Sequence, residues 1–132
     1  MIEIQKALEA RLAALSGALP TAWSNVLLSP PATAYQSVDL LPAKPVNPTF
    51  GSAFYRDQGI FQVTLFFPLG GGVGAALARA DVIRAGFPRG SSYSNGGITV
   101  LISGTPEIAP GRVIEQRWVV PVSIPYFANI FP

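Results

Sequence analysis

Apolar residues recur at Ile4, Leu8, Leu12 and Leu15, at spacings of four, four and three. That is one stripe of an amphipathic helix, and Glu3, Lys6, Glu9 and Arg11 fall mostly off it. The pattern predicts a helix over Ile2 to Leu15, stopped by Ser16-Gly17 and Pro20. Trp23 to Leu28 is a short apolar run, read as a strand that Pro30-Pro31 breaks. Tyr35 to Leu41 reads as a second strand, ended by Pro42. Ala43 to Ala53, AKPVNPTFGSA, is held extended by its prolines and has no helix available to it. Ordered loops of this length tend to be functional.

Phe54 to Phe67 carries the strongest alternation in the chain. Phe61, Val63, Leu65 and Phe67 point one way, and Ile60, Gln62, Thr64 and Phe66 the other. The first set should face helices. The second mixes polar and apolar residues, as a face turned to a neighbour would. Val73 to Phe87 predicts a second helix, with Val73, Leu77, Ala80, Ile83 and Phe87 as its buried stripe and Arg79 and Arg84 off it. Ser94-Asn95-Gly96-Gly97 has hairpin chemistry, and Ile98 to Ser103 is the strand after it. Arg112 to Ile124 is the last strand, with Ile114, Trp118, Val120, Val122 and Ile124 on one face. Pro121 and Pro125 lack a ladder donor, so this strand is an edge, bulged, or paired on one side only. The tail YFANIFP has no charged side chain and should be docked. The expectation is one α+β domain over residues 1–132: a mainly antiparallel sheet of four to five strands with two helices on one face. There are no internal repeats.

Composition adds one strong statement. Charged residues make up 12% of the chain, against about 25% in ordinary domains. A folded monomer of this mass exposes roughly 6,700 Å². So few charges cannot cover that area, and with 49% hydrophobic residues much of it must be apolar. Large apolar patches mark contacts with partners. Net charge is +2, too mild for a free-standing nucleic-acid binder, and seven of nine cations are arginine. Gln58 to Ala78 is long and uncharged enough to span a bilayer, but Pro68 and Gly70, Gly71, Gly72 and Gly74 would break such a helix in lipid. The first twenty residues carry charges within their pattern and do not read as a signal peptide.

Catalytic chemistry is poorly supplied. The chain has no histidine and no cysteine, which removes the commonest general base and thiolate metal sites. Gly70-Gly71-Gly72-Val73-Gly74-Ala75 fits the letters of a dinucleotide loop. Yet no acid stands between Ile83 and Gly104, and there is no Gly-Lys-Ser/Thr. A strand-to-helix corner is the better reading. Ser91, Ser92 and Ser94 have no histidine partner. Asp39, Asp57, Glu107 and Glu115 read as solvated ends or partners of Arg56, Arg112 and Arg117, rather than as a catalytic carboxylate pair. Asp81 needs no role beyond lying between Arg79 and Arg84. Proline excludes Asn47-Pro48-Thr49 as a glycosylation site. Trp118 reads as core rather than as a stacking platform.

Several blocks in order resemble the tail terminator proteins of long-tailed bacteriophages. They are IEIQKALEARLAAL, LPTAWSNVLLSPP, LLPAKPVNPTFG, YRDQGIFQVTLFFPLGGGVGAALARADVIRAGFPRG and VVPVSIPYFANI. The resemblance covers nearly the whole chain, and its most specific piece is RDQGIFQV followed by the helix ending in FPRG. It implies a small α+β subunit of a hexameric ring at the head-proximal end of the virion tail, assembled in the host cytoplasm. Such a ring caps the tail tube, stops its polymerisation and meets the head-tail connector or neck protein, and genomic DNA later passes through its lumen. It implies no catalysis and no cofactor, and the reading of the residues adds no metal and no membrane.

On this reading Pro45, Asn47, Pro48, Phe50, Tyr55, Arg56, Tyr126, Phe127, Ile130 and Phe131 are the candidates for contacts between subunits or with partners. Arg79, Arg84 and Arg89 either line the DNA path or form a solvated helix face, the second favoured because Asp81 interrupts them. Another neck, head-completion or tail tube component is the alternative of the same class. A small ligand- or nucleotide-binding domain built on the glycine loop is the alternative of a different one.

Overall fold

A computed structural model describes residues 1–26, 28–51 and 53–132. The elements run α1 (Ile2–Ala14), β1 (Thr21–Ala22), β2 (Tyr35–Pro42), β3 (Tyr55–Pro68), α2 (Gly74–Gly86), β4 (Ser92–Asn95), β5 (Ile98–Ile102), β6 (Glu107–Ile108), β7 (Arg112–Ile114) and β8 (Arg117–Ile130). The strands form one sheet in the order β1-β2-β3-β8-β5-β4, with β6 and β7 also paired to β8. The class is α+β as expected. The sheet is larger than four to five strands, and it is mixed, because β1 runs parallel to β2.

The spine is the β3–β8 pair, in antiparallel register from Tyr55↔Ile130 to Pro68↔Arg117. The expected alternation of β3 holds. Phe61, Val63 and Leu65 are buried beneath the helices, while Ile60, Gln62, Thr64 and Phe66 lie on the other face. On that far face Tyr35 and Phe66, neighbours across β2 and β3, stack at 4.6 Å. One core holds both helices against the sheet, joining Ile4, Leu8 and Leu12 of α1 to Val100, Val122 and Ile124.

Pro121 and Pro125 sit in the middle of the sheet, and the register explains how. Their carbonyls accept from the N–H groups of Ala109 and Ser103, on the side of the short strands. A residue's N and C=O point to the same side of a strand, so the missing donors fall where pairing is already interrupted. The unbroken ladder is the one toward β3. Pairing is continuous on one side, as the prolines suggested, but the strand is central.

Three readings need correction. Trp23–Leu28 is not a strand among its described residues: Asn25 adopts φ 57, and the Val26 N–H closes a turn on the Trp23 carbonyl at 3.0 Å. Leu27 of that run, like Ser52 of the long loop, lies outside the described residues. Arg112–Ile124 is not one strand but a hairpin, β7 and β8, turning at Glu115 and Gln116. The stripe of α2 is rotated. Ala76, Arg79, Ala80, Ile83 and Gly86 face the sheet, whereas Val73 and Leu77 are exposed. Small residues turn inward because α2 lies close: a Cβ on Gly86 would run into the Leu15 side chain. The hairpin at Gly96-Gly97 is present, both glycines at positive φ, and it pairs β5 with β4, a strand whose polar SYSN sequence hides it.

Candidate assembly interface

The β3–β8 pair outruns the rest of the sheet at one end. Strand β2 stops at the pair Pro42↔Gly59, and β5 reaches only Leu101↔Phe127. Beyond those points Tyr55–Gln58 and Ala128–Ile130 continue as a two-stranded arm. The proline-rich loop is laid along one edge of it. Ala43 N–H donates to the Gln58 carbonyl at 2.8 Å, and Val46 and Arg56 exchange backbone bonds at 2.9 and 2.8 Å. Proline is disfavoured inside a helix, and a pinned extended segment is what the spacing of Pro42, Pro45 and Pro48 leaves available. The other edge of the arm has no strand registered against Ala128–Ile130 among the described residues.

Aromatic rings dominate this end. Phe54 stacks on Phe131 at 5.5 Å, with Phe131 still 73% exposed. Phe50 projects from the loop without cover, at 109% relative exposure. Arg56 lays its guanidinium 4.4 Å from the centre of the Phe127 ring and donates from Nε to Asn129 Oδ1 at 3.0 Å. A cation held over a ring and bonded to an amide is fixed in direction.

The structure therefore brings together nine of the ten residues expected to make contacts: Pro45, Asn47, Pro48, Phe50, Tyr55, Arg56, Phe127, Ile130 and Phe131. Tyr126 is placed differently. It is 1% exposed, its ring inside the core and its hydroxyl under Gly59, without a hydrogen-bond partner among the described residues. Burial first, and then the nearby carboxylate of Asp57, push its pKa up to about 12.

The three arginines do not form one patch. Arg79 is buried, donating to Gln36 Oε1 at 3.4 Å and from Nη1 to the Ser16 carbonyl at 2.9 Å. Gln36 in turn donates to Thr21 Oγ1 at 3.0 Å, so one polar chain ties α2 to β2, β1 and the end of α1. Burial lowers the Arg79 pKa. Arg84 is exposed and bonds the Pro106 carbonyl at 3.0 Å; Arg89 is exposed in the loop after α2. Gln36 was not singled out in the sequence. Its signal was its phase with Val38 and Leu40 on the core side of β2.

Of the two readings of the carboxylates, solvated ends or arginine partners, the first holds for Asp39, Glu107 and Glu115. Among the described residues the one salt bridge joins the N-terminal ammonium to Glu3. Arg117 instead bonds the carbonyls of Thr33 and Pro31 and lies over the Tyr35 ring. Asp39, Glu107 and Glu115 are exposed and apart from basic partners, and Asp57 is buried. No three metal-ligating side chains cluster among the described residues. Among the described residues no helix is long and apolar enough to cross a membrane, and Gln58–Ala78 divides between β3, a corner and α2.

The glycine corner is exposed, with Gly70 and Gly72 at positive φ. Beside it lies a shallow apolar hollow of about 220 Å³, lined by Pro68, Leu69, Gly70, Gly72, Val73 and Trp118. Trp118 packs partly against the core and partly edges this hollow.

The chain is a small α+β fold with an aromatic arm at one end of its central strand pair. The chain belongs to the phage tail terminator protein family, whose model matches residues 3–126. It is thus a structural protein of the phage virion tail. One solved structure, whose name states no function, is 26% identical with a TM-score of 0.78, covering 99% of this chain and 94% of that one. A chain from a structure titled as the virion of a native gene transfer agent particle shares the fold. It is 20% identical with a TM-score of 0.56, and the match covers 98% of this chain and 96% of that one. No curated protein matches.

Proposed function

We propose that this protein forms a closed ring, a hexamer, that caps the head-proximal end of the tail tube, halts tube polymerisation and offers its other face to the head-tail connector. The observation that carries the reading is the gathering of the proline loop and the end of β8 into one exposed end rich in aromatic rings. Such surface is unfavourable in water and favourable against a protein neighbour. Family membership supports the station at the tail end, and the fold shared with a chain of a virion particle is consistent with it.

The exposed area supports the same reading. The chain presents 7353 Å², against roughly 6,700 Å² for a compact monomer of its mass. Pro45, Asn47, Pro48, Phe50, Tyr55, Arg56, Phe127, Ile130 and Phe131 carry the subunit contacts. Arg84 and Arg89 are the remaining candidates to face passing DNA, since Arg79 serves the interior.

The test is negative-stain imaging of the purified protein mixed with growing tail tubes. Rings at one end of each tube, with tube length fixed when the protein is added, are expected. Protein spread along the tube wall, with elongation unaffected, would make it a tube component instead.

A further inference from the structure

Two consecutive residues of the arm, Arg56 and Asp57, are each left with an unmet charge. They point to opposite faces of β3, as neighbours on a strand do. Arg56 lies on the far face, opposite Asn129, where the Phe127 ring and the bond from Nε to Asn129 fix its guanidinium. Its two Nη groups have no acceptor among the described residues. Asp57 lies on the core side, in phase with Phe61 and Val63, and is 9% exposed. No donor reaches its carboxylate among the described residues, where the one salt bridge is made by Glu3. The Tyr126 hydroxyl, close enough to feel the Asp57 charge, is buried and also without a partner. Polar groups at this depth are normally hydrogen-bonded, and a carboxylate drawn out of water without a cation is costly. Neither residue can serve the other within one chain, because the strand itself stands between them.

We propose that the Arg56 guanidinium of one copy pairs with the Asp57 carboxylate of the next. The two halves stand on opposite faces of one strand, so the contact is heterologous, head-to-tail, the kind that closes into rings. This assignment rests on the ring reading above and names the charge pair within its interface. The occupant is a second copy because each subunit then gives one cation and receives one. A single repeated contact satisfies both unmet groups in every copy. A planar guanidinium with both Nη groups unengaged also matches a carboxylate through paired bonds. Lys44 is the other cation at this end, but it is exposed and nothing among the described residues gives its ammonium a fixed direction.

Three variants of the full chain test the pair: Arg56→Gln, Asp57→Asn and the two together. Each single change is expected to raise the concentration at which half the ring dissociates by roughly tenfold or more. The double variant is expected to fall no further than the stronger single effect, because the first change already removes the contact. In urea unfolding of the separated chains, below the concentration at which rings form, the two changes should simply add. A second measurement leaves Asp57 untouched and so does not depend on how Asp57→Asn folds. Arg56→Lys, treated with a water-soluble carbodiimide, is expected to link the introduced amine to Asp57 of another copy, giving a covalent ladder whose junction peptide mapping locates. Ring effects that multiply, a ring indifferent to either change, or links made only through Lys44 overturn this pair and leave the ring standing. A wild-type chain that is monomeric throughout removes both.

Discussion

At the scale of single residues, the interior holds two polar arrangements with opposite consequences. The Tyr126 hydroxyl is buried with no partner, and its environment favours the protonated form. An unfolded tyrosine titrates near pH 10, whereas here the value is about 12. The folded state therefore keeps a proton that the unfolded state releases. The stability tied to this proton is complete below about pH 10 and is lost as pH rises through about 12. Tyr126→Phe should be neutral or stabilising by up to about 1 kcal/mol at pH 7, because it removes an unpaired buried hydroxyl. It should also flatten the alkaline fall between those values, as urea titrations of both proteins at pH 8 and pH 11 would show. Gly59 cannot change in the same way. A Cβ there would collide with the Leu41 carbonyl and lie 2.9 Å from both Pro42 Cα and the Tyr126 hydroxyl.

Arg79 and Gln36 are the opposite case, a polar pair whose members satisfy each other. Arg79→Ala should cost about 2–4 kcal/mol, since it leaves Gln36 and the Ser16 carbonyl short of donors. Replacing the pair together, Arg79→Met with Gln36→Leu, should cost clearly less than the two single changes summed. Chemical denaturation of the three variants checks this. Both positions were legible as anomalies, a glutamine in phase with Val38 and an arginine in phase with Ala76 and Ala80. Gln36 was passed over, and Arg79 was misread because arginine alone in a sequence looks like a solvated face.

At the scale of elements, periodicity recovered what alternation or spacing could encode. α1, β2, β3 and the hairpin before β5 stand near their expected positions. The failures have separate causes. In α2 the bulky Val73 and Leu77 suggested a buried stripe, while the true contact face uses alanines so that the helix can approach the sheet. β4 offers one apolar residue, Tyr93, and so gave no pattern. The turn between β7 and β8 is made by Glu115 and Gln116, with φ of 48 and 62, and no glycine or asparagine announces it. Left-handed backbone at two such residues costs about 1–2 kcal/mol each. Glu115→Asn with Gln116→Gly should therefore raise stability by about 1–2 kcal/mol, a shift of several degrees in thermal midpoint by calorimetry.

At the scale of the whole molecule, the low charge content predicted a largely apolar exterior before any element was placed. What could not be read was where the apolar surface lies, because that depends on register. Only the β3–β8 register puts Phe54 and Phe131 side by side from positions far apart in the chain. Likewise, the glycine corner gave no hint of the hollow next to it, which needs Trp118 from β8.

The most direct measurement is the mass of the purified wild-type protein in solution, by native mass spectrometry over a wide range of concentration. A closed species of about 83 kDa, six copies of a 13.9 kDa chain, is the expected result, with no open series of larger forms. A single 13.9 kDa species at every concentration would contradict the account.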